Sequence, residues 1–323
     1  MATTVPVSLD DVLAARDRVA GRVHRTPMLP SATLSRLAGA DVSLKAELFQ
    51  RTGSFKPRGV LNKLDSLTAE EKARGVIGIS AGNHAQALAY ASALEGVDAL
   101  VVMWRTASPF KIAAARGYGA TVDIEAADIP RAFDRLAELQ SETGRTLVHP
   151  YDDPLVIAGQ GTIGVEALED VPDADVVLVP VGGGGLVSGI ATAVKGLRPQ
   201  TRVIAVEPEL SPALHESLRA GEPVTVEPRS IADGLNGPYA GANCVDACLA
   251  AGVESVLVSE AEIEDAFRFL YTRAKLACEA AGAATTAALL AGRGDVQADQ
   301  RVVAVVSGGN VAPDMASAIL ARA

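Results

Sequence analysis

Val179-Pro180-Val181-Gly182-Gly183-Gly184-Gly185-Leu186 decides how this chain is read. An apolar strand pattern runs into it and a helix pattern runs out. Four successive glycines let backbone N–H groups converge on one point, and the following helix adds its N-terminal dipole. That combination is a candidate phosphate cradle. A tight turn needing positive φ would ask for one or two glycines, not four. A dinucleotide fingerprint is the rival. Gly183-x-Gly185-x-x-Ser188 approximates it, and Glu207 ends the next strand where a ribose-binding carboxylate would stand. That fingerprint usually opens a fold, and here it arrives past mid-chain.

Outward from the loop the pattern is α/β. Strands fit Asp175–Val181, Arg202–Val206, Ser255–Val258 and Arg301–Val306, all near-continuous apolar runs of the kind found in parallel sheets covered on both faces. Upstream, strands fit 42–46, 76–79, 99–104, 121–125 and 146–148. Helices fit Asn83–Leu94, Pro109–Arg116 and Pro130–Glu142 between them, with Pro109 and Pro130 in first turns and Gly96, Gly117 and Gly144 as stops. The irregular stretch Glu222–Cys244 reads as a loop over the core or a wall of the site.

With 323 residues the chain is long enough for two domains, and with few aromatics its core must be aliphatic. A net charge of -10 disfavours nucleic acid and anionic membrane as partners. Met1 to Asp10 lacks a basic start and an apolar segment, so a cytoplasmic location is expected. Cys244, Cys248 and Cys278 do not make a disulfide framework, and the pair Cys244 and Cys248, spaced to suit one helix face, is expected as two reduced, partly buried thiols.

Three further motifs carry chemistry. Ser54-Phe55-Lys56-Pro57-Arg58-Gly59 holds one lysine at a helix start, where an amine can form a Schiff base with a carbonyl cofactor. A surface charge is the plainer reading of such a lysine taken alone. Ser80-Ala81-Gly82-Asn83-His84-Ala85-Gln86 follows a strand and offers a hydroxyl, an amide, an imidazole and helix-start N–H groups to a carboxylate or a phenolic oxygen. Its plain reading is an ordinary helix cap. Ser307-Gly308-Gly309-Asn310 ends the last strand, at the crevice where open α/β sheets bind ligands.

In order and spacing these motifs resemble the threonine/serine dehydratase and serine racemase family of fold-type II pyridoxal-phosphate enzymes. His149-Pro150, Ile157–Thr162 and Ile231-Ala232-Asp233-Gly234 extend the resemblance over nearly the whole chain. It implies two open, mostly parallel twisted sheets with flanking helices, as in the tryptophan synthase β-like fold. Residues 1–67 and 148–323 would form a large cofactor-binding domain and residues 68–147 a small substrate-binding one. Lys56 would carry pyridoxal 5′-phosphate and act as the base at Cα. Phe55 would pack near the ring, Asn83 would bond the phenolic oxygen, Gly182, Gly183, Gly184 and Gly185 would bind the phosphate, and Ser307 would meet the pyridine nitrogen. Ser80, Ala81, Gly82, Asn83 and His84 would hold the substrate carboxylate.

The implied activity is β-elimination of L-threonine or L-serine to a 2-oxo acid and ammonia. The alternative is an amino-acid racemase, or a dehydratase of a specialised β-hydroxy amino acid such as 3-hydroxyaspartate, phenylserine or a hydroxyectoine-derived compound. Racemases of the eukaryotic type place a second serine where this chain has Ala81, and a methyl group moves no proton. Some family members bind a divalent or monovalent cation, and Glu207 matches one ligand position while Ala213 stands at another. The family's Glu-Pro-x-Gly motif reads Glu279-Ala280-Ala281-Gly282. A homodimer is the assembly that the resemblance implies.

Overall fold

The computed structural model describes residues 6–322. Met1–Val5, part of the stretch read for an export signal, lie outside the described residues. Ten strands build two sheets. They are β1 (Met28–Pro30), β2 (Asp41–Ala46), β3 (Val76–Ile79), β4 (Ala99–Trp104), β5 (Thr121–Ala126), β6 (Thr146–Leu147), β7 (Val176–Pro180), β8 (Arg202–Pro208), β9 (Glu254–Val258) and β10 (Arg301–Val306). One sheet runs β1-β2-β10-β7-β8-β9 and the other β5-β4-β3-β6. Every pairing is parallel except β1 with β2.

The apolar strands are buried for the reason their sequences give. All five residues of β7 are buried, as are all four of β3, because helices cover both faces of each sheet. Each aliphatic side chain so buried contributes roughly 1.5–3 kcal/mol. The core is built of Val, Leu, Ile and Ala, and Phe267 is its one fully buried large aromatic among the described residues. The strand bounds read from the sequence hold to within a residue or two. The three-residue β1 escapes sequence reading, since an antiparallel edge strand that short has no alternation to detect.

One close approach sets the helices behind the site. The helix Pro57–Asp65, which begins one residue after Lys56, packs on the long helix Pro154–Asp170. They meet backbone to backbone: a Cβ on Gly159 would lie 2.5 Å from Gly59 Cα. Any larger side chain at either glycine would push the lysine-bearing segment away from its seat.

The chain crosses between the sheets so that strand carboxyl ends of both converge. Ser80 follows β3, Gly182 follows β7 closely, and Ser307 follows β10. Among the described residues no helix is long and apolar enough to cross a membrane.

Candidate active site

The convergent strand ends enclose a cavity of about 760 Å³. Lys56, the Ser80–His84 loop, Gly182–Gly185 and Ser307 all line it. The structure therefore gathers the residues expected to meet cofactor or substrate into one place.

Backbone stitching brings Lys56 beside Ser307. Phe55 N–H donates to Ser307 C=O at 3.1 Å, and Gly309 N–H donates to Gly53 C=O at 2.9 Å. Lys56 Nζ donates to the Pro150 carbonyl at 2.7 Å and sits 5.1 Å from the centre of the Phe55 ring. Burial outweighs the nearby Cys244 and Glu279 and pulls its ammonium pKa down to about 8. About a fifth of the amine is then neutral near pH 7.4, far more than at the ordinary lysine value, and the neutral form is the one a nucleophile or base requires.

The glycine loop fits a phosphate. Gly184 has φ +96°, a conformation that favours glycine. A Cβ on Gly183 would fall 2.4 Å from the Tyr151 ring, so only a bare backbone fits there. The N–H groups of Gly183 and Gly184 donate to no group among the described residues. The helix Gly185–Leu197 begins at the same point and aims its first-turn N–H groups there.

The asparagine loop is equally open. Ser80 Oγ accepts from Gly82 N–H at 3.0 Å and shapes the turn. Asn83 opens the helix Asn83–Glu95, whose first N–H groups have no intrahelical partner. His84 does not fit the role expected of its side chain. Burial drives its pKa down to about 3, so the ring is neutral. Its Nε2 lies 2.9 Å from the Val148 carbonyl and must carry the proton, which leaves Nδ1 as an unpartnered acceptor. An acceptor repels a carboxylate, so the loop's backbone N–H groups are the donors available to one.

Glu207 stands outside the cavity. It is fully buried, and its two oxygens accept from the N–H groups of Leu214 and His215, both at 2.7 Å. Those donors open the helix Ala213–Ala220, so the carboxyl group caps that helix. Among the described residues no group of three or more His, Cys, Asp and Glu is arranged to hold a metal. The three cysteines are free and fully buried rather than partly so. Asp152 and Asp153 are caps: Asp152 accepts from Ala242 and Asn243 N–H, and Asp153 from Leu155 N–H.

Two residues of the cavity, Glu279 and Lys111, escaped assignment from sequence. Glu279 is buried against it, accepts from Asn83 Nδ2 at 2.7 Å, and is pushed by burial to a pKa of about 7. The signal was available: a lone carboxylate stands between Cys278 and the Ala-rich run 280–284. Lys111 and Asp233 pair across the cavity wall, between the small-sheet side and the 222–244 loop, which lines the site as expected. No local pattern joins residues that far apart in sequence.

Comparison with known proteins agrees with this geometry. Residues 19–308 match the family described as pyridoxal-phosphate dependent enzyme. The chain is 42% identical over 315 residues to the L-threonine ammonia-lyase of Thermotoga maritima, covering 97% of this chain and 78% of that one. The crystal structure of T.th. threonine deaminase superposes with a TM-score of 0.89 at 43% identity, over 94% of this chain and 99% of that one. Maize serine racemase superposes with a TM-score of 0.92 at 34% identity, over 96% and 95%. The fold is the fold-type II arrangement, the cofactor is pyridoxal 5′-phosphate, and the chain belongs to the family of pyridoxal-phosphate dependent enzymes.

Proposed function

We propose that this chain is a threonine/serine ammonia-lyase that eliminates the β-hydroxyl of L-threonine or L-serine and yields a 2-oxo acid and ammonia. The observation that carries the reading is a desolvated lysine, Lys56, in one cavity with a glycine cradle and a helix start rich in free N–H donors. The relatives named threonine ammonia-lyase and threonine deaminase, each above 40% identity over nearly the whole chain, support it.

Pyridoxal phosphate supplies an electrophilic carbon and a conjugated ring that draws electron density from the substrate's α-carbon. The chain's own residues do the rest. The Gly182–Gly185 backbone and the following helix dipole hold the phosphate. The N–H groups at the start of the helix Asn83–Glu95 hold the substrate carboxylate, with Ser80 shaping their turn. Neutral Lys56 Nζ would hold the cofactor through its electrophilic carbon and, as the base of the site, would take the proton from Cα. Ser307 offers the pyridine nitrogen a neutral hydroxyl, which does not compel its protonation. That favours loss of the β-hydroxyl as the Cα proton leaves over a long-lived carbanion.

Ala81 supports elimination over racemisation, since its methyl group cannot deliver a proton to the opposite face. We further propose a large domain of residues 1–67 and 148–323 and a small one of 68–147, with the cofactor between them. The two separate sheets support that division. A cytoplasmic homodimer acting on a small amino acid, with no nucleic-acid or membrane partner, completes the reading.

The test is a screen of β-hydroxy amino acids with added cofactor, following 2-oxo acid, ammonia and enantiomer ratio together. Keto-acid release without change in the chirality of residual substrate is expected. Inversion without ammonia would overturn the proposal.

A further inference from the structure

We propose that Asn310 is a positioning residue: it fixes which end of the Asn83 amide faces the cavity, so that Asn83 presents N–H rather than C=O to the cofactor's phenolic oxygen. The inference rests on the reading of the cavity as a pyridoxal-phosphate site.

A carboxamide is nearly symmetric in shape but has a donor end and an acceptor end, and only its neighbours tell them apart. Here the neighbours form a chain that starts at the backbone. Asn310 Nδ2 lies 2.7 Å from the Thr52 carbonyl, which can only accept, and that contact orients the Asn310 amide. The same Nδ2 donates to Asn83 Oδ1 at 2.8 Å and so orients Asn83 in turn. Asn83 Nδ2 is left on the other side, where it donates one hydrogen to Glu279 Oε1 at 2.7 Å. Its second hydrogen meets no acceptor among the described residues, and Asn83 lines the cavity.

Glu279 cannot set this orientation unaided. Its carboxyl is pushed up to about 7, so near neutral pH it exists both as an acceptor and as an acid able to donate. The Thr52 carbonyl has no such ambiguity. Its position is also well anchored: Thr52 has φ +60°, and Gly309 N–H donates to the adjacent Gly53 carbonyl at 2.9 Å. Gly53 leaves the room that Asn310 needs, since a Cβ there would fall 2.7 Å from Asn310 Oδ1.

The test uses the full chain titrated with pyridoxal phosphate, read by absorbance, with circular dichroism and melting of the cofactor-free protein as controls. Asn310→Leu keeps the branched shape of the side chain and removes both donor hydrogens. It is expected to bind the cofactor about tenfold more weakly, with the bound cofactor's absorbance moved to the shorter-wavelength band of a protonated phenol. Asn310→Asp is expected to behave likewise at high pH and to recover as pH falls, because the protonated acid again donates to Asn83 Oδ1. Leucine and aspartate variants with wild-type affinity and spectrum at every pH would overturn the proposal. If the leucine variant does not fold, the aspartate series decides, and a pH-independent spectrum sinks it. Failure of the unsubstituted protein to bind the cofactor would instead sink the reading of the cavity.

Discussion

Two groups of buried charges lie within a few residues of each other and are treated in opposite ways. Behind the site, Arg58, Glu47, Glu166 and Lys45 form a closed cluster. Arg58 meets Glu47 through Nε at 2.9 Å and Nη2 at 2.8 Å, and Glu166 through Nη1 at 2.7 Å and Nη2 at 2.9 Å. Lys45 Nζ donates to Glu166 at 2.6 Å and to the Thr26 carbonyl at 2.8 Å. The two cations and two anions cancel, and nearly every donor is used. In the cavity, by contrast, among the described residues Lys56 has one carbonyl partner, His84 Nδ1 has none, and the N–H groups of Gly183 and Gly184 are unspent. Burial shifts the cavity groups toward neutrality: Lys56 falls to about 8 and Glu279 rises to about 7. Pairing makes a buried charge inert and structural, while incomplete pairing leaves it reactive and open to a ligand. Arg58 and Lys56 are two residues apart and stand on opposite sides of that line.

The contrast can be broken most severely at Lys56. Lys56→Ala should lower kcat by about 10³-fold or more, and borohydride should no longer fix the cofactor to the protein. Retained activity would remove Lys56 from the chemistry.

Arg58→Met should act on stability first. It leaves buried Glu47 without a cation and Glu166 with Lys45 alone, and should cost about 3–5 kcal/mol in urea unfolding of the cofactor-free protein. Exchanging Lys45 and Glu166 together for apolar residues would sharpen the comparison. That double change removes a pair rather than half of one, but it also takes a partner from Arg58, and its cost should still fall below that of Arg58→Met.

A smaller effect is expected at the cradle. Gly183→Ala forces a methyl group against the Tyr151 ring, a strain of about 1–3 kcal/mol. The cofactor's dissociation constant should rise by roughly tenfold or more, measured by absorbance titration. An unchanged constant would mean that the loop does not hold the phosphate.

The mildest test varies only pH. The rate at which the cofactor-free protein captures pyridoxal phosphate should rise with pH and level off above about 8, because only the deprotonated amine of Lys56 attacks. A rate still climbing toward the ordinary lysine value near 10.4 would show that burial does not lower this lysine. The stability sign is opposite to that of a paired lysine. The native state disfavours the charged amine, so this penalty is full below pH 8 and is relieved as pH rises beyond it.

Much of the fold and of the site is legible in local stretches of the chain. The glycine run can be read because four adjacent residues make the loop and carry its chemistry on their own backbone. Strands β7 and β10 can be read because burial on both faces imposes an unbroken apolar run. Glu207 cannot be placed by local reading, because a carboxylate at a strand end looks the same whether it meets a cation, a ribose or the helix start that it caps here. Asn310 and Glu279 stay without roles because their partners, Thr52 and Asn83, lie far away in sequence.

By itself the sequence determined the α/β alternation, the candidate lysine and the candidate phosphate loop, since periodicity and local backbone freedom are properties of neighbouring residues. Only the tertiary structure decided which buried charges are neutralised and which are left poised. That outcome depends on distances between side chains from separate segments and on the water that folding removes around them, and neither quantity is written in any local stretch of chain.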